Sequence, residues 1–372
     1  MGRKIVDTKG EIVTIPQKRI VSLDIARTVA IIFVVLCHSV ELIYNMNMQN
    51  WLSISLKAKI FRTAMFTCGR LGVPIFLLLS GYFLLSKNYE DDKAVFKFYK
   101  KNLLAILITT EIWIVIYNIF LKVYDGYDIK IMSVIREMFF IEYVPLMNMW
   151  YMPMIIGMYI AIPFLSKVIH SFSLKTIKIP MTIAFLIVFV NPTLNVIFQI
   201  TKINPIGNVL DVSFLGGIYG MYMILGYLSH ENKFEKINNK VLILMSVISF
   251  ICACLIQGYS YHKLNIYNIW YDSPFLLIGC TCLFELIKRL KTEKMPCWTK
   301  NIFTYISKIS FDIFFIHIIV ETILKDYIKL IPISNHLRVL MLFSCSFLIC
   351  VLVVWILSKI KIIRKRVLFF KD

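Results

Sequence analysis

Acidic residues are scarce in this sequence relative to basic ones. The 372-residue chain has 22 Asp and Glu against 41 Lys and Arg, which gives a formal net charge of +19. In a soluble protein that imbalance would suggest nucleic-acid binding. In a membrane protein it has a simpler origin, because lysine and arginine are retained in cytoplasmic loops. If the chain lies in a membrane, we therefore expect no nucleic-acid partner.

The chain also lacks a polar stretch long enough to form a separate soluble domain. Hydrophobic residues make up 59% of it, and the mean hydropathy is +0.74. They form blocks of about 20 residues, the length that crosses the hydrocarbon core of a bilayer. The pattern predicts an all-α fold, a polytopic transmembrane helical bundle with about ten spans that is surrounded by membrane lipids.

The nine cysteines do not show the spacing of a disulfide framework or a metal site. Seven lie inside apolar blocks, and the pairs Cys252/Cys254 and Cys280/Cys282 are two residues apart, which places the partners on different sides of a helix. We interpret them as packing residues and predict no metal and no permanently bound cofactor. No cleavage site follows the first apolar segment, so we expect that segment to be retained.

Two of the predicted spans are irregular. The second carries Gly69, Gly72, Pro74 and Gly81, which favours a broken or tilted helix. The polar run 307–312 interrupts the ninth, so we expect that helix to begin near Ile309. The ten spans are placed at roughly 21–43, 69–86, 102–121, 148–169, 177–199, 212–229, 241–257, 272–290, 302–324 and 336–358.

The distribution of basic residues predicts an N-in/C-in orientation. With both termini inside, 28 of the 41 Lys and Arg fall in cytoplasmic segments, 12 fall outside and Arg27 lies within the first span. The segment 57–70, an outside loop in this arrangement, runs against the trend with four basic residues. The amphipathic run in the outside loop 122–147 suits the membrane surface or a re-entrant segment. The predicted parts are a cytoplasmic N-terminal tail (1–20), a membrane domain (21–358) and a basic cytoplasmic C-terminal tail (359–372).

Ionisable residues in the first span are the leading functional candidates, because such groups are costly inside a bilayer. Arg27 and His38 are 11 residues apart, so both lie on one helix face, about 16.5 Å apart along the axis. Asp24 is one turn before Arg27, where the two can pair. The structural alternatives are an ion pair that snorkels to the headgroups and a neutral histidine bonded to a neighbouring helix.

The stretch "SLDIARTVAIIFVVLCHS" resembles the opening of the membrane acyltransferase 3 family, whose signature is Arg or Lys, ten residues, then His in the first helix. Arg27 and His38 fit that spacing. Four later stretches resemble family segments in the same order: "GRLGVPIFLLLSGYFL" with Ser80 at its turn, "MWYMPMIIGMYIAIPFLSKVI" led by Trp150, "YMILGYLSH" and "SKISFDIFFIHIIV". The resemblance covers nearly the whole membrane region.

The resemblance implies an O-acyltransferase of the plasma or inner membrane that modifies polysaccharide of the cell envelope. Its donor would be cytoplasmic acetyl-CoA or another acyl-CoA, and its acceptor a hydroxyl of a surface polysaccharide or lipid-linked sugar. His38 would act as a general base or form a covalent acyl-histidine. Arg27 would orient the donor or stabilise developing negative charge.

One stretch departs from the family pattern. Family members often have Arg-x-x-Arg at the start of the third helix, thought to contact the acyl donor, whereas this chain has "KFYKKNLLA". A lysine binds a phosphate as a point charge, whereas an arginine can bind it through two parallel hydrogen bonds. Ordinary positive-inside charge also explains these lysines. The candidate donor-binding residues are Lys97, Lys100, Lys101 and Arg70.

Five residues are candidates for lining the cavity: Asp24, Glu111, Ser80, Trp150 and His317. His317 shares a helix face with Glu321, four residues later, and an interhelical hydrogen bond is its alternative role. Glu111 lies within the third predicted span and needs a partner if it is buried. Arg27, Arg70 or a lysine are the options.

Two other function classes stay open at this point. A transporter or flippase of a small molecule or glycan precursor also combines many spans with intramembrane charges. A sensor or scaffold domain would need neither transport nor transfer. Transfer of a labelled acetyl group from acetyl-CoA to a surface glycan would distinguish an enzyme from a transporter and from a sensor or scaffold. A protein partner is compatible with the sequence, which does not identify one.

Overall fold

The structure is a computed structural model that describes residues 3–6, 12–15, 19–46, 48–207, 210, 213, 216–264 and 270–369. An antiparallel hairpin of β1 (Arg3–Val6) and β2 (Ile12–Ile15) precedes the helices. The helices are α1 (Val21–Tyr44), α2 (Met48–Ser53), α3 (Leu56–Gly69), α4 (Gly72–Ser80), α5 (Asp92–Phe98), α6 (Leu104–Asp125), α7 (Ile131–Met138), α8 (Tyr151–Ser171), α9 (Leu174–Phe185), α10 (Asn191–Ile200), α11 (Gly217–His230), α12 (Asn239–Leu264), α13 (Pro274–Lys288), α14 (Cys297–Leu330), α15 (Asn335–Ser358) and α16 (Lys361–Arg366). Single π-helical turns at Gly81–Leu85, Tyr99–Leu103 and Leu186–Val190 extend α4, join α5 to α6 and join α9 to α10.

The predicted all-α bundle is confirmed. Eight helical stretches among the described residues are long and apolar enough to cross a membrane: 21–44, 56–85, 92–125, 151–171, 174–200, 239–264, 297–330 and 335–358. Each corresponds to one of the predicted spans. The other two predicted spans contain α11 and α13, which have 14 and 15 residues. Residues 212, 214 and 215, predicted to begin the sixth span, lie outside the described residues.

α11 and α13 nevertheless run between the same two ends of the bundle as the longer helices. Near the start of α11 the ring of Tyr219 lies 6.3 Å from that of Trp150, and at its end His230 lies 4.8 Å from Tyr82. α13 runs from the neighbourhood of Tyr271 to Lys288, whose Nζ donates to a carbonyl at the end of α11. This placement suits spanning segments. The total of ten spans and the N-in/C-in orientation stay predictions.

The helical stretch that contains the second predicted span begins earlier than the span itself. Residues 56–69, predicted as part of an outside loop, form α3, and the chain bends at Arg70 before α4. Arg62 and Arg70 are 2% and 6% exposed. Aromatic rings cover their guanidinium groups, with Tyr261 4.6 Å from Arg62 and Trp270 4.4 Å from Arg70. The sequence analysis did not anticipate this helix or the burial of its two cations, whereas the predicted break in the second span is present.

The ninth predicted span is not interrupted. α14 continues from Cys297 to Leu330, through the polar run that was expected to delay its start. The polar groups are satisfied inside the bundle, since Ser307 donates to Asp24 of α1 and Ser310 donates to the carbonyl of Ser307. Helix continuity therefore costs little, because these buried hydroxyls have partners.

Glycines allow the second span to pack closely against its neighbours. A Cβ atom on Gly72 would lie 2.6 Å from the carbonyl oxygen of Ala30 in α1. A Cβ on Gly81 would overlap the carbonyl of Met223, and one on Gly226 would overlap that of Leu78. Such close backbone approach is typical of small residues between membrane helices. It fixes α1, α4 and α11 around a common core.

Candidate active site

α1 and α14 lie side by side and run in the same direction. Ser307 on α14 contacts Asp24 and Arg27 on α1, and further along both helices His317 contacts His38. The polar face of α1 therefore meets a polar face of α14 along its length. We call the two ends of this seam the Arg27 end and the His38 end.

A cavity of about 560 Å³ lies at the Arg27 end, and we call it the Arg27 cavity. Arg27 and Ser80, both predicted as site residues, line it. The guanidinium of Arg27 lies 5.8 Å from the ring centre of Phe83, and Ser80 hydrogen-bonds Tyr159 of α8. Basic and aromatic side chains supply much of the rest of the lining: Arg19, Lys87, Lys308, Tyr151, Phe311 and Phe369. This combination suits a ligand that carries several negative charges and an apolar or planar part.

The predicted direct pair between Asp24 and Arg27 is not formed. Asp24 accepts two hydrogen bonds from Arg19, at 2.6 and 2.8 Å, in a bidentate ion pair. Ser307 lies between the two predicted partners, since its Oγ donates to Asp24 at 2.7 Å and accepts from Arg27 at 3.3 Å. The carboxylate thus holds Ser307, and Ser307 in turn orients Arg27 toward the cavity.

Lys87 adds a cation to the cavity that sequence reasoning missed. It lies in the loop between the end of the second span and α5. Lys87 is an exposed residue, but partial desolvation of its ammonium at the cavity lowers its pKa, and the positive charge of Lys101 lowers it further. Lys101 therefore acts electrostatically on the cavity. Lys97 and Lys100 are exposed and do not contribute to the described lining.

At the other end, the imidazole of His38 is held by its own helix. Nδ1 of His38 lies 2.7 Å from Oε2 of Glu41, one turn later on α1. A hydrogen bond from Nδ1–H to the carboxylate selects the tautomer in which Nε2 accepts a proton. Oε1 of Glu41 accepts from Arg70 at 3.4 Å. The three residues form a chain of charge-assisted hydrogen bonds in which the imidazole is oriented.

His317 places a second imidazole beside the first. The ring centroids of His38 and His317 lie 5.3 Å apart, and His317 is completely buried. Its Nδ1 donates to the carbonyl of Ile313 at 3.1 Å, and its Nε2 has no hydrogen-bond partner among the described residues. One turn later, the buried carboxyl of Glu321 accepts from Ser39 of α1. The predicted face shared by His317 and Glu321 is thus packed on the His38 end of α1.

Arg70 and Trp150 also lie at the His38 end. Arg70 donates to the hydroxyl of Tyr271 at 3.3 Å, and the ring of Tyr271 lies 5.4 Å from that of Trp150. Trp270 contacts both Arg70 and Trp150. The structure therefore separates Arg70 from the lysines with which it was grouped as a donor-binding residue. Glu111 is half-buried on α6 and, among the described side chains, neither lines the Arg27 cavity nor contacts His38.

A comparison with protein families matches residues 20–357 to the acyltransferase 3 family, described as an acyltransferase domain. The chain belongs to the acyltransferase 3 family. No curated protein and no solved structure matches it. Membership makes the chain a multi-pass membrane acyltransferase, in agreement with its long apolar helices.

Arg27 and His38, the pair singled out in the sequence, thus lie toward opposite ends of α1. Arg27 contacts a cavity, and His38 contacts Glu41 and His317. Glu41 was detectable in the sequence, because it lies three residues after the histidine on the same helix face. Lys87 and Phe369 gave no local signal, since only the tertiary fold brings them to Arg27.

Proposed function

We propose that this membrane acyltransferase transfers an acetyl group from cytoplasmic acetyl-CoA to a hydroxyl of a surface polysaccharide or lipid-linked sugar. The observation that carries the proposal is the two-ended seam on α1. A basic cavity lies at Arg27, and an oriented imidazole lies at His38. The two are separated by 11 residues, about 16.5 Å along the helix.

The Arg27 end suits the donor. Acyl-CoA is polyanionic, and the Arg27 cavity is lined by the basic side chains of Arg19, Arg27, Lys87 and Lys308. With the N-terminus inside, this end faces the cytoplasm, where acyl-CoA is made. The long pantetheine arm would then extend along α1 from the phosphate groups toward His38.

The His38 end suits the transfer step. His38 Nε2 removes the proton from the acceptor hydroxyl, and the oxygen attacks the thioester carbonyl. As the tetrahedral intermediate collapses, the carbon–sulfur bond breaks, and the imidazolium returns the proton to the thiolate. The products are an O-acetyl ester and CoA thiol. Glu41 holds the tautomer and stabilises the imidazolium, as the carboxylate does in a hydrolase triad.

The separation between the two ends favours a role for Arg27 in donor orientation. Arg27 precedes His38 by about 16.5 Å along the helix axis, and a charge that distant from the transfer step would stabilise developing negative charge weakly, because Coulomb energy falls with distance. Arg27 also contacts Ser307 and lines the cavity. Arg70, which shares Glu41 with His38, is the cation nearer to the transfer step.

Mass analysis of surface polysaccharide from cells with and without the gene tests the proposed function. The proposal expects acetyl esters that are present only with the gene and absent with the His38→Ala variant at normal protein level. Movement of an unmodified substrate across the membrane, with no acetyl ester formed, would favour the transporter alternative. A different acyl group on the glycan would support acyl transfer as the reaction and show that the donor is another acyl-CoA.

A further inference from the structure

The segment that follows α16 returns to the bundle at the Arg27 cavity. Leu368 is buried, with 5% of its surface exposed. Phe369, the next residue, lines the cavity together with Arg27. A residue more than 300 positions from Arg27 thus forms part of the same wall.

Two contacts from α14 hold Phe369 in place. Its backbone N–H donates to Oδ1 of Asp312 at 2.6 Å, and its ring centroid lies 4.7 Å from that of Phe311. Asp312 is completely buried, so its carboxylate requires hydrogen-bond donors. Hydrogen bonds to a charged acceptor are among the stronger ones in proteins. A buried residue of α14 therefore anchors the backbone of Phe369.

We propose that Phe369 closes the wall of the donor cavity and contributes to donor affinity, and that Asp312 is the residue that positions it. The aromatic ring closes one wall of the Arg27 cavity and packs on Phe311. The identity of the donor as an acyl-CoA rests on the proposed function. The closure of the cavity by Phe369 does not, and it can be measured without any donor.

Access to the cavity provides the first test. Ser80→Cys places a thiol in the cavity wall, and Ser171→Cys places one on an exposed part of α8 near the same end. Both are made in the full chain with the exposed Cys297 replaced by serine. Inside-out vesicles are labelled with a charged, membrane-impermeant maleimide. Phe369→Ala should raise the labelling rate at Ser80→Cys several-fold and leave Ser171→Cys unchanged.

Kinetics provide the second test, with acetyl-CoA as donor. Phe369→Ala should raise the KM for acetyl-CoA about fivefold, the loss expected for one aromatic contact, while kcat stays within about twofold. Asp312→Ala should have the same two effects. Asp312→Asn, which keeps an acceptor oxygen, should restore most of the affinity. Deletion of 367–372 should match Phe369→Ala, and deletion of 370–372 should match the wild type.

The outcomes separate this proposal from the proposed function. Unchanged labelling of Ser80→Cys in both Phe369→Ala and the 367–372 deletion would overturn the proposal. A fall in kcat with KM unchanged would also overturn it. If Phe369→Ala raises labelling but the wild-type protein transfers no acetyl group from acetyl-CoA, the proposed function is wrong. The closure of the cavity by Phe369 is still supported in that case.

Discussion

The carboxylate of Glu41 lies 2.7 Å from Nδ1 of His38 and orients its imidazole. Both residues are on α1, one turn apart, so the helix itself fixes their relative position. The same carboxylate contacts Arg70 of the second span. The base proposed for acyl transfer is therefore oriented by its own helix and linked to a cation on another.

Glu41→Gln should lower kcat by about 100-fold or more, because the amide does not stabilise the imidazolium and does not select the tautomer. The KM for acetyl-CoA should change little, since the Arg27 cavity is at the other end of α1. Steady-state kinetics in detergent or vesicles measure both. Glu142→Gln is the matched control, because Glu142 forms a surface pair with Arg136. A kcat within twofold of wild type would remove Glu41 from the mechanism.

Replacement of Arg27 should act on the donor and not on the chemistry. Arg27→Gln should raise the KM for acetyl-CoA about 10- to 100-fold, the loss expected for a hydrogen bond to a charged group. Arg27→Lys should recover part of this, because the charge remains but the fork geometry is lost. Lys175→Gln, an exposed lysine at the start of α9, is the control. A lower kcat with normal KM would instead place Arg27 at the reacting carbonyl.

Donor affinity should depend on pH through Lys87. Partial desolvation and the charge of Lys101 lower its pKa, so its ammonium loses a proton at a lower pH than that of an ordinary lysine. The KM for acetyl-CoA should therefore rise on the alkaline side, as pH rises through this lowered pKa. Lys87→Arg keeps its charge and should flatten the profile. If both proteins give the same KM at every pH, Lys87 does not bind the donor.

Sequence periodicity was sufficient for the parts of the site that lie on one helix. α1 is continuous, so counting residues placed Arg27 and His38 on one face. The same reasoning failed for Arg62 and Arg70. The segment 57–70 was taken as an outside loop that ran against the charge trend, and nothing in the local pattern showed that aromatic residues distant in sequence cover these two cations. Asp24 was given the wrong partner for a similar reason, since Ser307 enters from α14.

Contacts between distant segments also explain what the sequence did not reveal about the cavity. Neither Lys87 nor Phe369 belongs to a motif, and each becomes a wall residue only when the helices pack. The extended start of the second span has the same origin. Its charged residues are stabilised by tertiary contacts, which override the local pattern that marked a loop.

The close packing of the second span against α11 should make Gly81 intolerant of any side chain. Gly81→Ala should destabilise the protein by about 1–3 kcal/mol or more, because its Cβ overlaps a backbone carbonyl that cannot move independently. Gly157→Ala is the control, since a Cβ there meets open space within α8. Thermal unfolding in detergent compares them. Equal stability of the two variants would contradict the packing of α4 on α11.

In the proposed reaction His38 is the general base for acetyl transfer, at the end of α1 opposite the donor cavity. The most direct measurement uses vesicles with radiolabelled acetyl-CoA on the face of the Arg27 cavity and acceptor polysaccharide on the other. Wild type and His262→Gln, an exposed histidine, should label the polysaccharide. His38→Gln should lose about 10²–10⁴-fold of the rate and still bind acetyl-CoA. Transfer by His38→Gln at the wild-type rate would contradict the account.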